Sequence, residues 1–294
     1  MLYNINSIEP TTVKAKGLVN LFNKGLRIPL TILFSSSKDI KEATNILNIY
    51  KNDNNIYYIR FNFSDNDYPH DITCFANNQN IQEQLSSLFK AIAVLKKDKF
   101  DVIIQPMLQT DWSGGIMVKG NNLLVEIVQG NPRILFRNGF FYKRILFNSK
   151  LKEIDYKIGC QPFSYNFNNK KLKLEKNPFF EFTYDFQDLE NFYSKLENDC
   201  LYEFSFSNNQ IFFLQEKSHF KGTYMQLTKN DISPPFFIFN NLVNIVNTCT
   251  YDYPCFEYIK LCNNLDRIVV TQGAYLSHFA TSLGEKRIHC EFLS

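Results

Sequence analysis

Apolar positions along the 294-residue chain change period several times, and each change marks an element. Leu18, Leu21 and Phe22 share one face at helical spacing, Gly25 offers a helix end, and Pro29 opens an extended segment. Ile40, Ala43, Ile46 and Leu47 predict a helix within 38–51, and residues 55–61 predict a strand. The clearest stripe is Leu85, Leu88, Ala91, Ile92 and Leu95, which predicts a core helix from Ile81 to Lys97 with no chemistry of its own. Asp101–Leu108 and Leu123–Gly130 read as strands, and residues 131–149 as further strands with an Asn138-Gly139 turn. Residues 150–185, rich in Lys, Asn and Phe, carry little pattern. A helix from Asp188 to Asn198 is predicted to lead into strands Leu201–Phe206 and Gln210–Lys217. Farther on, Pro235–Phe239 reads as a strand, Tyr253–Leu261 as a helix, and Ile268–Val270 as a short buried strand. Gly273 breaks that strand, Ser277 is placed to cap a helix, and Ile288–Leu293 supplies a last strand.

Composition narrows the class. Hydrophobic residues make up 45% of the chain and phenylalanines number 29, which is the balance of a globular protein with room for two domains. The mixture of helical and alternating segments predicts an α+β fold. Net charge is +3 and spread along the chain, so no basic footprint for nucleic acid stands out; Lys170, Lys171, Lys173 and Lys176 read as a solvated turn. No apolar run reaches bilayer-spanning length, and Met1–Asn6 lacks a signal-peptide pattern, so the expectation is a cytoplasmic protein without a membrane partner. Seven cysteines without a Cys-x-x-Cys pair suggest reduced thiols and argue against a zinc site.

Candidate chemistry concentrates in residues 267–285. The predicted strand, turn and helix put His278 in a first helical turn, beside backbone N–H groups with no helical partner. Such a place favours a neutral imidazole and can hold a phosphate, although an ordinary helix-terminal histidine has the same local signature. Elsewhere, Lys14 opens a helix, Arg60 stands near a strand end, and Glu203 and Gln215 lie twelve residues apart on two successive strands. If those strands pair, both side chains can share a face. Each feature alone also fits a surface charge or a plain hairpin.

Six blocks, taken in order, resemble the phosphoenolpyruvate synthase and pyruvate phosphate dikinase family, which includes rifampin phosphotransferase and glutamine kinase. Lys14, Ala15, Leu18, Leu21, Gly25, Leu26, Ile28 and Pro29 are similar to its Lys-Ala-x-x-Leu-x-x-Leu helix and Gly-Leu-x-Val-Pro turn. Arg60 and Asp67 match Val-Arg-Ser-Ser-Ala-x-x-Glu-Asp, with Cys74-Phe75-Ala76 in place of Ser-Phe-Ala. Gln105, Met107, Ser113 and Gly114 match its Gln-x-Met and Ser-Gly elements, the latter expected to turn the chain. Glu126 matches a following acidic residue. Glu203, Gln215 and Lys217 stand at its Asp-Ile-Glu and Leu-Gln-x-Arg-Pro strands, and Gly273, Ser277, His278, Ala280 and Glu285 at its phosphohistidine motif. Departures are Phe61, Asn62, Asn66, Asn77, Leu201, Lys217, Ser218, Ala274 and Leu276.

The resemblance implies a two-lobed ATP-grasp nucleotide-binding domain over 1–218 and a shortened α/β phosphohistidine swivelling domain over 219–294. It implies ATP as substrate, bound by Lys14, Arg60, Gln105, Met107, Gln215 and Lys217, with magnesium on Glu203 and Glu126. His278 would take a phosphoryl group from ATP, with AMP and phosphate leaving, and pass it to an acceptor. The chain lacks room for the barrel that handles pyruvate in the larger members, so the acceptor is a small molecule, glutamine-like or a hydroxyl compound, or a domain on another chain. The departures support an alternative, a catalytically degenerate nucleotide-binding or partner protein. A third reading is a phosphocarrier loaded at His278 from elsewhere.

Overall fold

A computed structural model describes residues 1–50, 56–64, 72–94, 99–136, 141–159, 161, 163–168, 171–176, 189–217, 267–270 and 289–292. Two units emerge. Met1–Gln109, Phe167–Lys171 and Phe212–Glu216 form the first; Thr110–Asn166, Leu172–Ile211 and Lys217–Ser294 form the second. The division falls within 1–218, and the boundary expected after residue 218 lies outside the described residues.

The first unit contains β1 (Leu2–Asn4), α1 (Val13–Asn23), β2 (Thr31–Phe34), α2 (Ile40–Ile49), β3 (Ile56–Phe63), β4 (Ile72–Asn77), α3 (Ile81–Val94) and β5 (Phe100–Pro106). Its sheet runs β1-β2-β5-β3-β4, with β1 parallel to β2 and the other neighbours antiparallel. Strict alternation in β3 gives the sheet two unlike faces. Tyr57, Ile59, Phe61 and Phe63 point to one side, where register joins them to Ile32, Phe34, Val102, Ile104 and Ala76. Ile40, Ala43 and Leu47 of α2 and Ile81, Leu85 and Ile92 of α3 close this core. Burial of each such side chain contributes about 1.5–3 kcal/mol. Ala91, expected in the α3 stripe, is exposed, and the described helix ends at Val94.

The ends of α1 are set by sequence. The Thr12 hydroxyl accepts from Ala15 N at 3.4 Å, which caps the first turn. At the other end Gly25 takes φ 66°, its N–H donates to Phe22 O at 2.9 Å, and Leu26 N donates to Leu21 O at 3.0 Å. This is a Schellman ending, sealed by buried Leu21 and Leu26. Ala15, Leu18 and Leu21 are buried as the stripe predicts, but Phe22 is 43% exposed. Gly17 takes part in the buried side instead. A Cβ there would stand 2.5 Å from Glu216 O, so only glycine permits that backbone approach.

The second unit contains β6 (Trp112–Lys119), β7 (Asn122–Gln129), α4 (Arg133–Phe136), β8 (Lys143–Asn148), β9 (Glu153–Ile158), most of β10 (Phe163–Asn168) and β11 (Lys171–Lys176), α5 (Leu189–Tyr193), β12 (Leu201–Ser207) and the ends of β13 (Gln210–Lys217), whose residues Phe212–Glu216 belong to the first. Its main sheet has the order β13-β12-β6-β7-β8-β9, while β10 and β11 form a separate ribbon. The strand expected at the start of 131–149 is a helical turn. Asn131 accepts from Arg133 N at 3.0 Å, and Pro132, just ahead of the helix, accepts from Phe136 N at 3.0 Å, a local start signal that outweighs the apolar run. Ser113 and Gly114 lie inside β6 rather than at a turn. The helix expected over 188–198 is shorter, Leu189–Tyr193, and Asn198 forms a bridge with Val118.

Two further strands, β14 (Arg267–Val270) and β15 (His289–Phe292), pair in parallel, with Ile268 against Cys290. Both were expected as strands. Residues 271–288, between the two strands, lie outside the described residues. So do the expected strand Pro235–Phe239 and helix Tyr253–Leu261.

Candidate nucleotide site in the first unit

The face of the first sheet opposite the α2–α3 core carries a set of polar side chains beside the apolar Leu33 and Ile103, and their placement follows from the same alternation. Register sets Tyr58 between Phe75 on β4 and Gln105 on β5, Arg60 between Thr73 and Ile103, and Asn62 beside Asp101. Thr31 joins the row from β2, where its hydroxyl accepts from Gln105 Nε2 at 3.0 Å. The Arg60 guanidinium lies 5.2 Å from the Tyr58 ring centroid, within cation–π range, and the Phe75 ring backs Tyr58 at 5.3 Å.

Lys14, in the first turn of α1, contributes its charge to the same place. Burial pushes the Tyr58 phenol up, but the charge of Arg60, hydrogen bonds with Thr73 and Arg60, and the charge of Lys14 together outweigh it, so its pKa is lowered from the ordinary value. The phenol therefore registers two cations from separate elements. Lys14 is half-buried whereas Lys16 is exposed, which distinguishes the two lysines of this turn. A compact ammonium beside a guanidinium fork is suited to polyphosphate.

Asp101 ties α1 to this face. Its Oδ2 accepts from Thr12 N at 2.7 Å, Thr11 N at 2.9 Å and the Thr11 hydroxyl at 3.3 Å. Met107, just past β5, is half-buried and donates its N–H to Ile56 O at 2.9 Å.

The second unit carries the two expected magnesium ligands. Register lines up Glu203, Gly115, Glu126 and Arg144 across β12, β6, β7 and β8, so all four lie on one face. Glu203 and Glu126 are two strands apart, roughly 10 Å between backbones. Glu126 is buried, and its Oε1 takes Arg144 Nε at 2.7 Å and Nη2 at 2.6 Å. Arg144 is buried too and packs over the Phe141 ring at 4.3 Å. The carboxylate expected to hold magnesium is thus paired with a guanidinium at a fully buried position. Glu203 is half-buried on the same face.

β12 and β13 are neighbours in the sheet and form a hairpin. Asn208 and Asn209 both have positive φ, 51° and 57°, which marks a two-residue type I′ turn with Ser207 opposite Gln210. Gln215 and Lys217 are half-buried. His278, with Gly273, Ser277, Ala280 and Glu285, lies outside the described residues.

Sequence reading missed Tyr58, Thr73, Asp101 and Arg144. The alternation Tyr58-x-Arg60-x-Asn62 was a usable signal for Tyr58, and an acid heading the apolar run Val102–Ile104 was one for Asp101. Arg144 gave no local signal, because its role depends on the β7–β8 register.

No protein-family model and no curated protein sequence matches the chain. Among solved structures it is similar to phosphoribosylamine–glycine ligase from Thermotoga maritima, with 10% identity and TM-score 0.39 over 71% of this chain and 48% of that one. It is also similar to D-alanine–D-alanine ligase from Helicobacter pylori, with 12% identity, TM-score 0.37 and coverage of 70% and 54%. A third is a RimK domain ATP-grasp protein from Sphaerobacter thermophilus, with 10% identity, TM-score 0.38 and coverage of 70% and 59%. The chain spans about half the length of these structures.

Proposed function

We propose that the protein is an ATP-dependent phosphoryl-transfer enzyme of the ATP-grasp type, with Lys14 and Arg60 as phosphate-binding cations. The observation that carries this reading is the convergence of both charges on Tyr58, on the polar face of the first sheet. The two residues were singled out by resemblance, from blocks far apart in sequence. Gln105 and Met107 belong to the same reading as nucleotide-binding positions, as do Gln215 and Lys217. Glu203 is the residue for magnesium, which would supply charge neutralisation on the phosphates.

The finer proposal rests on sequence resemblance. His278 receives the β-phosphoryl of ATP: a phosphorus–nitrogen bond forms, the bond to AMP breaks, and the γ-phosphoryl then leaves as phosphate after attack by water. Phosphohistidine passes its group to a small acceptor or to a domain on another chain. Positioning and charge dominate such chemistry.

The test is incubation of the full chain with magnesium and β- or γ-labelled ATP, beside His278→Ala. Acid-labile, base-stable label from the β-position, with AMP released and no label in the variant, supports the histidine route. Release of ADP without protein label, dependent on an added carboxylate or amine, points to direct transfer from ATP instead and overturns that route. A second reading, a nucleotide-binding protein without turnover, is favoured by the commitment of Glu126 to Arg144. It predicts ATP binding with neither label nor product.

A further inference from the structure

Asp101 is a buried carboxylate with an uneven set of partners. It is 1% exposed, and its Oδ2 serves three donors from Thr11 and Thr12. Its Oδ1 is buried without a hydrogen-bond partner. A buried acceptor left unused is unfavourable, so a purely structural role would be served as well by a smaller or neutral group. Nor is Asp101 needed as a helix cap, since the Thr12 hydroxyl already accepts from Ala15 N.

What Asp101 does is fasten the two residues ahead of α1 to β5. The same strand pair carries Arg60: Asn62 stands opposite Asp101, and Arg60 lies two residues along β3 on the same face. Lys14 follows Thr12 within the first turn of α1. We propose that Asp101 is a positioning residue that fixes Lys14 relative to Arg60, and so sets the spacing of the two phosphate-binding cations. Its charge strengthens the hydrogen bonds to both amides. This deepens the proposed function and rests on it for the identity of the ligand, though not for the tether.

Three readouts on the full chain test it, using Asp101→Asn, which keeps size and one acceptor, beside Asp101→Ala and Lys14→Ala. Hydrogen exchange at the Thr11 and Thr12 amides should accelerate about tenfold in Asp101→Ala and less in Asp101→Asn, with the α2–α3 core unchanged. Tyr58 ionisation should move to higher pH in both Asp101 variants, as is also expected in Lys14→Ala. Mere loss of a negative charge would move it the other way, so the direction separates displacement of Lys14 from a direct field. ATP affinity, by calorimetry, should fall about three- to tenfold in Asp101→Asn and change less than about twofold when Lys14 is already alanine.

Unchanged exchange, a downward Tyr58 shift, or additive losses in the Lys14→Ala background would each overturn the proposal. Should the wild-type chain bind no ATP, the nucleotide reading falls, while exchange and Tyr58 ionisation still decide the role of Asp101.

Discussion

Arg60 lies over Tyr58, with its guanidinium carbon 5.2 Å from the ring centroid and Lys14 adding a second charge. The lowered phenol makes Tyr58 a reporter of the site. Among the 16 tyrosines it should be an early one to ionise, visible as a phenolate absorbance step that Tyr58→Phe removes and Arg60→Ala moves to higher pH. The sign for stability follows. A folded pKa below the ordinary value near 10 makes ionised Tyr58 stabilising above that value, and this contribution is lost as pH falls through the folded pKa. At neutral pH it contributes nothing by this route. Saturating ATP, by neutralising Lys14 and Arg60, should push the step upward.

Lys14→Ala and Arg60→Ala should each weaken ATP binding about tenfold or more, the scale of a charged hydrogen bond of roughly 1.5–3 kcal/mol. Arg60→Lys should recover only part of that, since an ammonium lacks the fork. Lys16→Ala, two residues along and exposed, should leave affinity unchanged. Titration calorimetry with circular dichroism as a folding control distinguishes these outcomes. Equal losses at Lys14 and Lys16 would contradict the assignment.

Glu126 and Arg144 form an ion pair in which both side chains have no exposure. Removing one partner leaves the other charged and buried, so Glu126→Ala and Arg144→Ala should each cost about 3–5 kcal/mol in urea unfolding. The double replacement by apolar residues should cost less than the sum. Glu203→Gln, at a half-buried position, should cost within about 1 kcal/mol. If Glu126 were a metal ligand instead, its removal would cost little stability in the absence of magnesium.

Gly17→Ala tests the packing of α1. Alanine gains about 1 kcal/mol of helix propensity over glycine. Its Cβ would meet Glu216 O at 2.5 Å, and overpacking of this kind costs roughly 1–3 kcal/mol, so net destabilisation is expected. Lys24→Ala should also destabilise the first unit. Glu216, with a side chain 1% exposed, receives Lys24 Nζ at 3.0 and 3.1 Å on its two oxygens and would be left charged in a buried place. Melting temperatures of the two variants check both statements.

Much of the first unit was legible in local patterns. The stripes of α2 and α3 predict the core helices, residues 55–61 predict a strand where β3 lies, and Gly25 predicts the end of α1, while its cap at Thr12 was not foreseen. Lys14 and Arg60 were singled out by resemblance alone, and alternation supplied only the face on which Arg60 lies. Failures came where a short signal overrode a longer one, as with Asn131-Pro132 at α4, or where the pattern ended early, as in α5.

The sequence by itself determined which residues could be buried and which faces would be polar, because those depend on periods of two and 3.6 within a single element. It also marked the end of α1 at Gly25, a short-range hydrogen-bonding problem, but not the end of α5. Only the tertiary structure decided partners. Glu126, expected at a magnesium site, lies opposite Arg144 of β8 and pairs with it, a partner that no local pattern marks. Strand register is a long-range choice, and a shift of one residue exchanges every side chain between faces. That is why the charges were visible along the chain while their pairings were not.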